Sequence, residues 1–587
     1  MENSITAFEV SGQNSDALFS LKAYRGEGMI LLAMNWKDDD LPVNFVGFAI
    51  EYKEPEGTIF YPLKNRLAFT NDTDELNSEI LSTRLSPIQK FRWVHFPRNA
   101  DIKGEYLYRV IPVFMSDSGV LSYGEYQEIA MQLFHQTYPG KLNICFTRGF
   151  VSSQAFVNHY ESYGEIKTLL PSKAKEGLNF TSSHPKSKEA LGWMGFEARK
   201  EIMKILENAV DDPHAKVYMV AYDLNLPDMV SLLEQLQDRL IIIIIIIIII
   251  IIIIIIDEDG THGEDGSAEN AAEHRLAATA GRDHVRRQIM GKLQHNKIII
   301  VDSPTQKTVL CGSTNYSWRG FFVQGNNAII MHGTKPVKLF LEAFNNYWSN
   351  KNNTAAFGST SSSGWNDLGL DGIDASVTFS PHIAENAQLD KIGEDIANTE
   401  SNLFYSLAFL AQTGGPVREA LTKATFHPEI FVYGMADKEI GGFELLKPDG
   451  NFAPVSAESL SDYIPEPFKS EPVGGSGTRL HHKFIVIDFD KPGARVYMGS
   501  YNFSKAADLS NGENLLLIRD RRIAVAYMIE ALRIFDHYHF RIARKKAKDE
   551  GKKLILAKPP KNHLDHPWWK EYYTDPRKIR DRKLFSS

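Results

Sequence analysis

Cysteine is almost missing from this chain, with Cys145 and Cys311 the only two in 587 residues. Both sit in apolar, strand-like surroundings, so a disulfide framework is excluded and both thiols are expected to be buried, reduced and inert. The N-terminus, Met1-Glu2-Asn3-Ser4-Ile5-Thr6, lacks the basic and apolar segments of a secretory signal. Cytoplasmic residence is therefore the expectation, with export by a signal-independent route left open. Gly474-Gly475-Ser476-Gly477 lacks the Lys-Ser/Thr that a phosphate-cradling loop requires, and reads as a flexible approach loop ahead of Leu480 and His481. The acidic stretch from Asp257 to Gly266 lacks EF-hand spacing, which makes it a surface loop near the site mouth and not a metal loop. Long apolar runs are missing too, save one: sixteen isoleucines, Ile241 to Ile256. A spanning helix needs about 20 apolar residues. Spanning would also put strands of one sheet on opposite sides of a bilayer, so no transmembrane segment is expected. The tract either overextends a buried strand or is foreign to the fold, and carries no chemistry in either case.

What the chain does have is a motif that occurs twice. The first copy is His295-Asn296-Lys297 followed by an apolar run to Asp302, then Gly312-Ser313-Thr314-Asn315. The second is His481-His482-Lys483 followed by an apolar run to Asp488, then Gly499-Ser500-Tyr501-Asn502. Residues two apart on a strand share a face, so each copy sets one imidazole beside one ammonium on a rigid element. The asparagine of each Gly-Ser-x-Asn is expected on the next strand, its amide reaching the same site. Two imidazoles, two ammoniums and two amides suit attack on a phosphodiester. One histidine serves as nucleophile and the other as general acid, while the lysines and asparagines hold the non-bridging oxygens. The inventory requires no metal and no cofactor. One copy supplies half of it, so the two halves must face each other across a pseudo-two-fold axis.

These residues resemble the paired HKD signatures of the phospholipase D superfamily, with the Gly-Ser-x-Asn extension of its bacterial members. The resemblance covers roughly residues 140 to 545. It implies a metal-independent phosphodiesterase fold and a covalent phosphohistidine intermediate. His295, Lys297, Asp302, His481, Lys483 and Asp488 are the catalytic set it implies; Ser313, Asn315, Ser500 and Asn502 are the candidate substrate contacts. The superfamily includes phospholipases, cardiolipin synthases, nucleases and transphosphatidylases. The two copies then diverge: Gln324-Gly325-Asn326-Asn327 in the first stands against Asn511-Gly512-Glu513-Asn514 in the second. A carboxylate bonded to an imidazole fixes its tautomer and raises its basicity. Similar enzymes use an acidic residue here against the histidine of the opposite half. Glu513 would thus orient His295 as nucleophile, leaving His481 as acid, with Asn326 in the matching place.

The expected architecture is multidomain. Residues 1–135 read as an all-β sandwich, with alternating Val46, Phe48, Ile50 and Tyr52 and frequent turn signals. Tyr106 to Val113, a tyrosine leading a late strand, resembles a fibronectin type III module. Strand–helix alternation over 136–350 gives the first α/β half, 351–373 a Gly/Ser/Asn-rich linker, and 374–548 the second half sharing the one active site. Residues 549–587 form a basic, aromatic tail. From Arg541 to Ser587 there are 15 Lys and Arg against 6 Asp and Glu, in a chain of net charge -8. Such a tail suits an anionic membrane surface or nucleic acid, or is simply a strap. A phospholipid is the favoured substrate. A metal-independent nuclease of the same superfamily, or a scaffold that only binds anionic phosphate, are the alternatives.

Overall fold

A computed structural model describes residues 7–70, 81–97, 99–100, 102–133, 136–149, 153–243, 252–410, 413–437, 445–446, 452–453, 455–456, 480–551, 554–562 and 565–587. The expected approach loop at Gly474–Gly477 lies outside these residues, as do Ile244 to Ile251.

The first 132 residues form the expected sandwich. Glu9–Ser11, Phe19–Arg25, Ile30–Trp36 and Arg92–His95 make one antiparallel sheet. The long strand Glu105–Met115 centres the other, pairing with Phe45–Lys53 on one side and with Leu121–Tyr123 and Gln127–Gln132 on the other. Alternation along these strands delivers Phe19, Leu21, Phe48, Ile50, Tyr106 and Tyr108 to a shared core. The Tyr106 hydroxyl donates back to the carbonyls of Asn99 and, at 3.3 Å, Ile102. This is the tyrosine-corner arrangement of immunoglobulin-like sandwiches.

The two α/β halves repeat one topology strand for strand. In the first the order is Leu142–Phe146, Asn327–His332, Lys307–Gly312, Lys297–Asp302, Lys216–Ala221, Ile252–Ile256, Val285–Arg287. In the second it is Asp374–Ser380, Glu513–Arg519, Arg495–Gly499, Lys483–Ile487, Asn402–Leu407, Phe431–Ala436, Val455–Ser456, with the short Asn366–Asp367 added outside. Both sheets run antiparallel as far as the fifth of these strands and parallel beyond it. The motif strands, apolar on both faces, are the central ones, as strands covered on both sides must be. One hydrophobic core runs through both halves.

Three expectations change in detail. The isoleucine tract is divided: Ile241 to Ile243 end the helix Pro227–Ile243, while Ile252–Ile256 is a buried strand parallel to Lys216–Ala221. Among the described residues no helix is long and apolar enough to cross a membrane. The Gly/Ser/Asn-rich linker is folded, not loose. It holds the helix Thr354–Gly358 and the strand Asn366–Asp367, and the Phe357 ring stacks on Tyr347 at 4.1 Å. Ser363 Oγ donates to the Gly358 carbonyl at 2.5 Å, Ser361 donates to Glu342, and Ser362 accepts from Asn346 at 2.9 Å. The tail returns to the sandwich. Trp569 is buried in the sandwich core with Trp568, Tyr572 and Tyr573 packed against it, and the helix Pro576–Ser586 comes next. Its aromatic residues thus face protein.

Candidate active site

Each catalytic strand begins at its lysine, so the histidine two residues earlier sits on the approach to the strand and shares its face. The halves bring these approaches together: Gln294 bridges to Gly512 and Gly325 to Leu480, which sets each histidine against the other half's last antiparallel strand. The His295 and His481 rings lie 6.4 Å apart, centre to centre, both buried. Lys297 Nζ donates to the His295 carbonyl at 2.5 Å and Lys483 Nζ to the His481 carbonyl at 2.9 Å. The two half-sites are the same construction, related by the pseudo-two-fold axis.

The histidines are held differently. His295 Nδ1 lies 2.8 Å from Glu513 Oε2, whose other oxygen accepts from Asn511 at 3.0 Å. His481 Nδ1 lies 2.9 Å from Asn326 Oδ1 and 3.1 Å from the Ser313 carbonyl. Each orienting group comes from the opposite half. All of these partners are acceptors, so each Nδ1 carries the hydrogen and each Nε2 keeps its lone pair for the site. Burial holds His295 below the ordinary histidine range, and Glu513 works against that depression. His481 is held well below it by burial, Lys483 and Lys297. Burial also brings Lys297 down to about 7 although Glu513, Asp223 and Asp257 oppose the loss. Lys483 is pushed well below the usual lysine range by burial and by Lys297. Four nitrogen bases crowded together out of water, with few compensating charges, form a site that gains from a bound anion.

The other expected residues divide. Asn315 and Asn502 lie just past the strands after the motif, not on them, and each leaves a buried side-chain oxygen without a partner. Oxygen and nitrogen exchange in a terminal amide by a flip, so these amides can turn their N–H groups to a ligand. Ser313 and Ser500, read as substrate contacts, are instead structural. Their hydroxyls accept the backbone N–H of Asn327 and Asn514, each at 3.0 Å, and pin the adjacent strand. Asp302 and Asp488, read as catalytic, stand at the wrong end of their strands. Each lies five positions beyond its lysine, about 16 Å along the strand. Asp302 pairs with Lys307. Asp488 gathers the N–H groups of Glu400, Ser401 and Asn402 at 3.1, 2.7 and 3.1 Å. Both lock strand ends.

Residues outside the motif complete the walls. The Tyr222 ring lies 4.7 Å from His295 and 4.5 Å from Lys297 Nζ, while Phe409 lies 6.0 Å from His481 and 5.4 Å from Lys483 Nζ. Such ring faces favour the ammonium. Asp257 and Asp437 each come directly after an apolar strand and accept the N–H just before the catalytic histidine: Gln294 at 2.7 Å and Leu480 at 3.0 Å. The loop read as a surface feature thus supplies buried Asp257 and half-buried His262. An acidic residue closing an apolar strand was the available signal, and it occurs in both halves.

The geometry coincides with sequence likeness. A family model described as a cardiolipin synthase, phospholipase D-like domain matches residues 206–348 and 458–535, spanning both motifs. The matched segments carry both motifs and are similar to phospholipase D-like domains. A phospholipase D of Rickettsia felis is 46% identical over 48 residues, 8% of this chain and 22% of that protein. The chain thus spans about a fifth of that relative's length. Among solved structures, phosphatidylserine synthase of Haemophilus influenzae is similar at 12% identity and a TM-score of 0.37, over 65% of this chain and 92% of that one. The phospholipase D family member Nuc of Salmonella typhimurium is similar at 25% identity and a TM-score of 0.20, over 25% and 87%. The two phospholipase D-like halves here are fused in one chain, and each completes the other's histidine.

Proposed function

We propose that this protein cleaves or transfers a phosphodiester through a phosphohistidine on His295, with a phospholipid as substrate. The observation that carries the reading is the crossed pair of orienting contacts: two imidazoles 6.4 Å apart, one held by a carboxylate and the other by an amide. The phosphodiester anion binds between Lys297 and Lys483, with the Asn315 and Asn502 amides on its non-bridging oxygens. Its charge offsets the repulsion that keeps His481 neutral, so His481 takes a proton from solvent on Nε2. His295 Nε2 attacks phosphorus as the ester bond to the leaving oxygen breaks, and His481 delivers its proton to that oxygen. The His295 ring becomes cationic as the bond forms, and Glu513 stabilises that cation. Neutral His481 then draws a proton from water or an alcohol, which attacks phosphorus and releases His295.

A phospholipid is favoured because the matching family model is described as a cardiolipin synthase domain and the Rickettsia relative is a phospholipase D. The basic tail would lie against the anionic interface through its charges, since its aromatic residues are taken up by the sandwich. The test sets purified protein with EDTA against phosphatidylcholine vesicles and single-stranded DNA in parallel. Choline release without DNA cleavage is expected, unaffected by EDTA and abolished by His295→Ala and by His481→Ala. DNA cleavage without choline release would make the protein a nuclease. Loss of activity with EDTA would overturn the metal-free mechanism.

A further inference from the structure

The correspondence between halves extends past the motif and then stops at one place. Asp257 and Asp437 are equivalent by strand order and do the same thing, accepting the N–H of the residue before the catalytic histidine. In the first half the chain of contacts continues. The second oxygen of Asp257 lies 2.9 Å from His262 Nδ1, and His262 Nε2 lies 3.0 Å from Asp223 Oδ1. Ala221 pairs with Lys297 and Leu407 with Lys483, so the register equivalent of Asp223 is Phe409. A phenyl ring cannot accept an imidazole N–H as a carboxylate does, so Phe409 cannot take the place of Asp223 in such a chain. The segment that carries Asp223 also carries Tyr222, whose ring lies 4.6 Å from His262, 4.7 Å from His295 and 4.5 Å from Lys297 Nζ.

We propose that Asp223, His262 and Asp257 form a positioning relay in the first half, which fixes the backbone entering His295 and adds negative charge facing Lys297. The proposal rests on the phosphodiesterase reading only in making this the half that carries the transferred phosphoryl group. With both ring nitrogens against carboxylates, His262 stays protonated: burial opposes the charge, yet the two hydrogen bonds raise it to about 10. The relay is then two carboxylates around one imidazolium, net negative. The carboxylates that meet Lys297 are Asp223, Asp257 and Glu513, those that meet Lys483 are Glu513 and Asp437, and the two lysines repel each other. Around the relay, Ser317 Oγ donates to Asp223 Oδ2 at 3.3 Å, Arg287 donates to the His262 carbonyl at 2.6 Å, and Arg319 and Glu269 add their charges. The ligand atoms of Asp223, His262 and Glu269 lie within 4.8 Å of one another, a grouping that could also take a cation. The filled valences of His262 and the nearby cations of Lys297 and Arg319 favour the relay.

The two substitutions that break the relay act with opposite sign. Asp223→Asn removes a negative charge facing Lys297, so the alkaline limit of anion binding should fall by about half a pH unit. His262→Gln removes a positive charge from between two carboxylates, so the same limit should rise by a similar amount. The full chain is titrated with tungstate by calorimetry across neutral and alkaline pH, and turnover of bis(p-nitrophenyl) phosphate is monitored in parallel. Both variants should lose about tenfold in kcat with KM little changed. Unshifted limits in both, whatever happens to thermal stability, would reduce the three residues to a structural role and overturn the proposal. Recovery of a shifted limit on adding zinc would also overturn it, in favour of a metal site. Opposite shifts in tungstate binding without any turnover by wild type would uphold the relay and sink the phosphodiesterase reading. A wild type that binds no tungstate would overturn both.

Discussion

The two facing histidines differ in what meets Nδ1, a carboxylate on His295 and an amide oxygen with the Ser313 carbonyl on His481, and that difference assigns their roles in the proposed mechanism. A carboxylate stabilises the cation that a phosphorylated imidazole becomes; an amide orients the ring without favouring its charge, which suits a group that must give its proton away. Glu513→Gln keeps the contact and removes the charge. It should lower kcat by about two orders of magnitude and leave KM nearly unchanged, as steady-state kinetics would show. The lysines set the pH dependence. Lys297 is an anion donor only while protonated, and with its ammonium lost as pH rises through about 7, affinity for an anionic ligand should fall on the alkaline side. Calorimetric binding of a non-titrating oxyanion across that range checks the sign. Tighter binding above neutrality would contradict it.

At the scale of elements, serine and aspartate within the repeated motif hold strands, and the groups the proposed mechanism uses are the histidines, lysines and asparagines. A motif reports that residues recur together and does not say which way each one points. Asp302 and Asp488 recur with the histidines because they close the strand whose opening presents them. The tail is the other element whose role composition leaves open. Trp569 is buried at 4% exposure in the sandwich core, and Phe91 stacks on Trp568 at 5.3 Å. Trp569→Ala should therefore cost about 3 kcal/mol of stability in urea unfolding, the usual scale for emptying a large aromatic site. A surface strap would lose well under 1 kcal/mol.

Across the whole molecule, Arg92 joins three parts of the chain. It extends from a sandwich strand to Asp536 on the long helix Arg521–Asp549 at 2.6 Å, to Asp581 of the tail at 2.9 Å and to the Tyr433 hydroxyl of the second half at 2.9 Å. Removing one partner of a buried ion network leaves the others poorly compensated, so Arg92→Ala should destabilise by about 3 kcal/mol. The loss should appear in chemical denaturation as a lower midpoint, and the sandwich should become the part most readily cut in limited proteolysis. The second half is thus tied to the first through the shared active site and to the sandwich through Arg92 and the tail. The sandwich is built into the body of the protein.

The sequence by itself determined the repeated motif, the need for two facing halves and the sandwich in front of them. Each of these comes from local regularities: a spacing of two along a strand, a repeat of the same spacing, and alternation with turn signals. The pairing of Glu513 with His295 was legible through the resemblance, because Glu513 stands in the second copy where the first has Asn326 and similar enzymes set an acidic residue there against the opposite histidine. Only the tertiary structure decided that Asp302, Asp488, Ser313 and Ser500 brace strands, that the serine-rich linker is folded, and that the tail's tryptophans complete the sandwich core. It alone joined Asp223, His262 and Asp257 behind Gln294. The reason is that side-chain direction and long-range contact depend on how sheets stack and which strand ends meet, and neither is encoded in the spacing of residues along one segment.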